Sequence, residues 1–403
     1  MTTTTASRAR RAALPWSALL ALGTAVFITS LTETLPAGVL PEMSSTLGMS
    51  SGATGQTVTV YAVGTASTAI PLSAATASVP RKPLLLAAMT VFLVANTLTA
   101  AAPGYAVLLA ARFLAGVAAG LAWAILAGYA RRIAPPGLEG RAIAIAMTGI
   151  PLALSLGVPA GTLVGQHVGW RAAFAAVSVV TLAVIAWIVR SVPATGRPEA
   201  ANTTRATTRQ TMGVPGVAAI MTMVVTFVLG HTIIYAYIAP YLRHAGLGSS
   251  TDTILLAFGI ACLGSIWYVG RRIDRHLRVL ASTGAALFTL STAAFAVTTA
   301  HPVVWAAAAV VWGLGWGGMP TLLQTAAGHA GTRRGPAVAD TAQAVLVTLW
   351  NAAMALGGII GGAVLQGIGV TAVVTAASVL GAAGLLTVAV ARHRAFPPVR
   401  TAP

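Results

Sequence analysis

Residues 193–213 read Pro193-Ala194-Thr195-Gly196-Arg197-Pro198-Glu199-Ala200-Ala201-Asn202-Thr203-Thr204-Arg205-Ala206-Thr207-Thr208-Arg209-Gln210-Thr211-Met212-Gly213. This is the longest polar interval in a chain of 403 residues that is 57% hydrophobic and 8% charged. Its prolines, glycines and arginines, with little apolar periodicity, predict a loop. A soluble domain carries about 25% charged residues, and about 20 apolar residues cross a bilayer. Working outward, six span-length apolar stretches precede the loop, at roughly 15–40, 52–75, 84–103, 105–130, 141–165 and 170–191. Six follow it, at roughly 214–240, 252–270, 279–299, 302–327, 337–366 and 370–391. Backbone polar groups in hydrocarbon must bond within their own segment, so the spans are helices. They are too long and too uniformly apolar for barrel strands.

The cations fix the orientation. Of 24 Lys and Arg residues, 21 fall in alternate gaps: Arg8, Arg10 and Arg11; Arg81 and Lys82; Arg131, Arg132 and Arg141; Arg190, Arg197, Arg205 and Arg209; Arg271, Arg272, Arg275 and Arg278; Arg333 and Arg334; Arg392, Arg394 and Arg400. The other gaps hold only Arg171 and Arg243. Basic residues stay on the cytoplasmic face during insertion, so both termini and the 193–213 loop are expected inside. The same rule explains the net charge of +17 without nucleic acid, since the cations sit in short flanking loops and form no stripe with interleaved aromatics. Arg8 to Arg11 before an apolar run imitates a signal peptide, but the run is span-length and carries Glu33, so it is expected to remain as the first span.

The loop divides the chain into an N-terminal six-helix unit, 1–192, a cytoplasmic linker, 193–213, and a C-terminal unit, 214–403. The halves echo each other. Gly157, Gly161 and Gly169 recur as Gly357, Gly361 and Gly369; Gly116 and Gly120 as Gly313 and Gly317; Arg131 and Arg132 as Arg333 and Arg334. Two parallel repeats related by an axis along the membrane normal are a transporter architecture, with the site between them near the midplane.

Four stretches resemble the major facilitator superfamily, specifically its twelve-span drug:proton antiporters. After span 8 the chain reads Gly270-Arg271-Arg272-Ile273-Asp274-Arg275-His276-Leu277-Arg278, similar to that family's cytoplasmic latch. Span 4 carries Arg112-Phe113-Leu114-Ala115-Gly116, then Gly120, similar to its arginine-and-glycine motif. Span 5 carries Gly149, then Gly157-Val158-Pro159-Ala160-Gly161, then Gly165, and resembles the antiporter motif of exporters. Span 1 reads Glu33-Thr34-Leu35-Pro36-Ala37-Gly38-Val39-Leu40-Pro41, as in bacterial exporters related to the arabinose and chloramphenicol efflux proteins. The resemblance implies an all-α integral membrane fold of two pseudo-symmetric six-helix bundles, alternating access and coupling through Arg112. The loop after span 2 departs from the pattern: it keeps Arg81 and Lys82 but no aspartate, so Asp274 is expected to latch alone.

Only seven acids occur, and Glu33 is the one deep in a span, about 25 Å from its cytoplasmic end at 1.5 Å per residue. An ionisable residue there costs about 2.5–3.5 kcal/mol on insertion scales and marks a pathway or a partner. Glu33 is read as a proton carrier with Arg112 as its partner; a fixed salt bridge is the competing reading. Close packing of the span 5 glycines against the other half is expected to seal the outer end. His231 and Tyr235, one turn apart, with Asn96, Trp123, Gln324, Trp350 and Asn351, are the candidate cavity residues. Asn351 is expected to bond a neighbouring helix. Trp16, Trp170, Trp187 and Trp305 lie near span ends and are expected to be interfacial anchors. Asp340, near the start of span 11, is read as a helix-end charge or an interdomain latch.

Neither a phosphate-binding glycine loop nor a metal-ligand spacing occurs, and Cys262 is the single cysteine. No cofactor and no enzymatic activity are therefore expected, and a proton gradient is the energy source. The composition, rich in Ala, Gly and Arg with Lys82 the sole lysine, points to a bacterial cytoplasmic membrane. The expected function is proton-coupled export of a small apolar or amphipathic compound by a monomer in the lipid bilayer. Sugar or metabolite efflux, facilitated diffusion, and a channel or sensor are the alternatives.

Overall fold

A computed structural model describes residues 13–194, 206–297 and 302–396. The first seven long helices are α1 (Trp16–Gly38), α2 (Ser51–Ala75), α3 (Arg81–Ala101), α4 (Tyr105–Arg132), α5 (Glu139–His167), α6 (Trp170–Ser191) and α7 (Val217–His244). The next stretch, Thr251–Val297, has 47 residues. At 1.5 Å per residue it would be about 70 Å long, twice what a bilayer takes. Non-helical dihedrals at His276 (φ −128°, ψ 28°) break it into α8, 251–275, and α9, 277–297. Then follow α10 (Pro302–Thr332), α11 (Pro336–Gly367) and α12 (Val370–Val390). The described residues thus hold twelve spans, matching the count of apolar stretches.

Part of the 193–213 interval departs from the loop reading. Residues 195–205, with Arg197 and Arg205, lie outside the described residues. Thr208–Met212 is a short helix, started by a capping box in which the Thr207 side chain accepts from the Gln210 N–H and Gln210 Oε1 from the Thr207 N–H. Arg8, Arg10, Arg11 and Arg400 are also outside the described residues, as are the ends whose cytoplasmic placement was expected.

The repeat in sequence is a repeat in packing. A Cβ on Gly116 would strike the Tyr61 carbonyl, and one on Gly120 would lie 2.8 Å from the Thr65 carbonyl. In the second half, Gly313 and Gly317 press in the same way on the Phe258 and Cys262 carbonyls. The same step, 116 to 313 and 61 to 258, relates all four contacts. Glycine here lets two backbones touch, which is how helices associate where hydrocarbon offers no hydrophobic drive.

The span 5 glycines pack elsewhere than expected. In this state Gly149 meets Gly23 and Phe27, Gly157 meets Phe27 and Leu31, Gly161 meets Leu35 and Gly165 meets Val39. All these partners are on α1 of the same half, so the row binds α5 to α1 rather than sealing it against the other half. The opposite face of α5 carries a π turn, Ala153–Gly157, with the Val158 N–H reaching back to the Ala153 carbonyl. Pro159 lacks an N–H and crowds the carbonyl four residues back, which accounts for the extra residue in that turn.

The tryptophans divide. Trp16 is 50% exposed and Trp187 36%, as interfacial anchors are. Trp170 and Trp305 are buried at 1% and are not. Trp170 meets Phe174 edge-on at 6.2 Å, and Trp305 packs on Tyr241 and Phe295 at 5.0 and 5.1 Å. Position near a span end did not reveal which way the ring turns.

Candidate transport cavity

Two connected cavities lie between the halves. The smaller, about 160 Å³, is lined by Glu33, Trp123, His231, Tyr235, Gln324, Trp350 and Asn351, among others. The larger, about 450 Å³, lies between α5 and α8 and reaches α7 and α10. Ile150, Leu154, Tyr235, Trp316 and Pro320 line both. Volumes and a mostly apolar lining of this kind are typical of small-molecule sites.

Six of the seven residues proposed for the cavity from sequence are therefore brought together there. Asn96 is not: it is buried in α3, and its Nδ2 donates to the Phe92 carbonyl of its own helix at 2.9 Å. Asn351 lines the cavity but bonds its own helix as well, donating to the Val347 carbonyl at 2.9 Å, where a neighbouring helix was expected. Gln324 Nε2 points across the halves to Met147 Sδ at 3.2 Å.

The sequence reading missed the aromatic wall. His231 lies flat on Trp316, with centroids 3.4 Å apart and planes 8° apart. Trp312 Nε1 donates to His231 Nδ1 at 3.2 Å. That bond fixes the neutral tautomer, leaving the ring proton on Nε2. Phe227 covers the other face of Trp316 at 5.5 Å, and Trp350 approaches it at 5.6 Å. Trp312 and Trp316 stand four residues apart, as do His231 and Tyr235; two aromatic pairs at one-turn spacing were the available signal. Ser30 and Thr34 flank Glu33 in the lining, and the i, i+3 step from Ser30 to Glu33 was legible too.

Glu33 projects into the cavity from α1, one turn before Pro36, which the helix contains. Among the described residues it forms no ion pair; the two ion pairs found both belong to Asp340. Arg112 is fully buried, with Nε donating to the Thr57 carbonyl at 3.2 Å. Its guanidinium lies over Tyr61 at 4.7 Å and near Phe174 at 5.6 Å. Both terminal nitrogens of Arg112 lack a hydrogen-bond partner among the described residues. Glu33 and Arg112 act on each other electrostatically without touching. Tyr61 sits against Arg112, and its hydroxyl donates to the Thr29 carbonyl at 3.1 Å on α1.

The cytoplasmic side is closed. Asp274 accepts from the Gly140 and Arg141 N–H groups at 2.5 and 3.1 Å, at the exposed N-terminus of α5. Unpaired N–H groups and the helix dipole favour a carboxylate there. Gly270 lets α8 approach Ala144, where a Cβ would come within 2.9 Å. Arg275 is exposed, and neither Arg275 nor Arg278 forms an ion pair among the described residues. Asp274 does not latch alone. Arg81, in the loop that lacks an aspartate, pairs with Asp340 at the start of α11, as does Arg132 at 2.7 Å. The missing acid is supplied by the other half.

A family model described as Major Facilitator Superfamily matches residues 22–339. The chain belongs to that superfamily, and with it to the class of multi-pass membrane transporters of small molecules. Solved structures agree on the fold. The proton:xylose symporter XylE, bound to 6-bromo-6-deoxy-D-glucose, superposes with a TM-score of 0.74 at 15% identity, covering 96% of each chain. The human organic anion transporter MFSD10 gives 0.74 at 14% identity, over 93% of this chain and 99% of that one. The E. coli Fucose:proton symporter FucP gives 0.75 at 10% identity, over 93% and 98%. At these identities the likeness concerns the fold alone: two six-helix bundles, as read from the sequence.

Proposed function

We propose that this chain is a proton-driven exporter of small apolar or amphipathic compounds, working by alternating access as a monomer in a bacterial cytoplasmic membrane. The observation that carries this reading is the placement of Glu33: a lone acid in the cavity wall, within electrostatic reach of a buried arginine but not paired with it. A proton arriving from outside neutralises Glu33. Its loss lets the carboxylate swing to the unmatched nitrogens of Arg112, drawing α1 toward α4 and biasing the halves. Burial of the pair raises the stake, because an uncompensated charge in low dielectric is costly. The aromatic wall offers flat apolar surface and few charges, which suits an apolar or amphipathic solute better than a highly charged one.

In proteoliposomes, Glu33→Gln is expected to abolish uptake driven by an imposed pH gradient while counterflow exchange persists. Undiminished gradient-driven transport in that variant would remove Glu33 from the mechanism. A second reading is sugar or metabolite transport. Gln324 and Asn351 in the cavity supply polar contacts, and two of the similar folds are named as sugar:proton symporters. Counterflow with labelled sugars against labelled lipophilic dyes separates the two.

A further inference from the structure

The two seams between the halves are closed to different degrees. On one side, α2 packs along α11, with Thr348 Oγ1 donating to the Ala66 carbonyl at 3.3 Å and Ile70 seated against the second-half core. On the other, α5 and α8 are held at the cytoplasmic end by Asp274 and Gly270. Moving outward, the two helices come together again at Ser155 and Gly259, where a Cβ on Gly259 would lie 3.7 Å from the Ser155 Cβ. Beyond that point Val158–His167 makes no more than passing contact with α8. The 450 Å³ cavity sits at this parting. Ser155 lies about 24 Å along α5 from Glu139, which puts the parting in the outer half of the bilayer.

The lining of this cavity is apolar, with Leu154, Val158, Pro159 and Leu255 beside Leu256, which is 60% exposed. Such surface offers nothing to hold water but suits acyl chains and the apolar body of an amphipath. The cavity is continuous with the one that holds Glu33, through Leu154, Tyr235 and Trp316. The geometry points to a lateral portal between α5 and α8, through which a compound dissolved in the outer half of the bilayer communicates with the central cavity. The π turn at Ala153–Gly157 shapes the gap, because the extra residue swings Leu154 and Ser155 toward α8. The substrate class that fits is a membrane-partitioning amphipath, which rests on the exporter reading and narrows it.

The test measures access rather than transport. A nitroxide is attached at Leu154→Cys in a Cys262→Ala background, and the protein is reconstituted in phosphatidylcholine vesicles. Its collision rates with oxygen, which concentrates in lipid, and with a water-soluble nickel chelate are compared with those of a label at Thr348→Cys on the packed seam. The portal requires oxygen collisions several-fold above the Thr348 value, with nickel collisions low. Adding Gly259→Phe, whose ring enters the gap opposite Ser155, is expected to bring the oxygen rate down toward the Thr348 value. High nickel with low oxygen at Leu154 would mean a cavity open to water only and would overturn the proposal. Rates equal to those at Thr348 would also overturn it. Should Leu154→Cys fail to fold, Leu255→Cys on the facing helix gives the same readings. No step depends on transport, so failed proton coupling would leave the portal standing, and a sealed seam would leave the coupling standing.

Discussion

Asp340 on the eleventh helix accepts from Arg132 at the end of the fourth, at 3.0 and 2.7 Å, and so ties the second half to the first. Arg81 shares the same carboxylate. Three charged groups thus meet where the cytoplasmic ends of the halves converge. Removing the acid leaves two cations side by side with no counter-charge. Asp340→Asn should therefore weaken closure by about 1.5–3 kcal/mol, the range for hydrogen bonds to charged groups. That is a tenfold or greater shift in the balance between states, since about 1.4 kcal/mol is one decade. Distances between spin labels on the cytoplasmic ends of α4 and α11 should gain a longer population. An unchanged distribution would show that Asp340 does not hold the closed side.

Asp274 caps α5 through main-chain groups, so the identity of its partner's side chain matters only through size. A Cβ on Gly140 would come within 2.6 Å of the Asp274 carboxylate and 2.7 Å of Ile273. Gly140→Ala should push the carboxylate off the helix end. Asp274→Ala should remove the cap itself, at about 1 kcal/mol as for other N-caps. Both variants should expose the cytoplasmic cavity to thiol reagents at a cysteine placed at Gln324, and Arg141→Ala should not. Equal exposure in all three would argue against capping as the cause.

The glycine contacts between the second and fourth helix of each half predict matched sensitivity. Gly116→Val and Gly313→Val each place a branched side chain where a backbone carbonyl sits. Each should lower stability by about 1–3 kcal/mol, the usual cost of overpacking. Thermal unfolding in detergent, followed by tryptophan fluorescence, should show comparable drops in Tm for the two. A large loss in one half alone would mean that the repeat is a likeness of sequence and not of load.

Trp312 fixes the tautomer of His231 through one hydrogen bond. Trp312→Phe keeps an aromatic ring but removes the donor, at about 0.5–1.5 kcal/mol. With Nδ1 released, the ring can carry its proton on either nitrogen. The expected outcome is weaker binding of substrates that accept a hydrogen bond, with binding of purely apolar ones unchanged. Equal loss for both kinds would mean the change acts by packing.

The spans, their number and the family were legible in the sequence because they rest on long averages. Twenty apolar residues in a row, or arginines in every other gap, survive any local irregularity. The split at His276 was legible for the same reason, since Arg271 to Arg278 cannot stay in hydrocarbon. What lay in facing directions was not legible. Trp170 and Trp305 sit where anchors sit but turn inward, and Asn96 turns to its own backbone. The partners of Arg81 and Arg132 come from residue 340, more than 200 positions away, and no local pattern marks that pairing. The pair Trp312 and Trp316 was visible as a spacing, but glycines at 313, 315 and 317 drew attention to packing instead.

The break between α8 and α9 is one residue, His276, with helix on both sides. There is no slack in such a hairpin. A tilt that widens the outer mouth between α5 and α8 therefore drives Asp274 harder onto the start of α5, and a tilt that frees Asp274 pinches the mouth shut. The hairpin behaves as a beam on a pivot near Ser155 and Gly259: one end of the seam can yield only as the other end clamps.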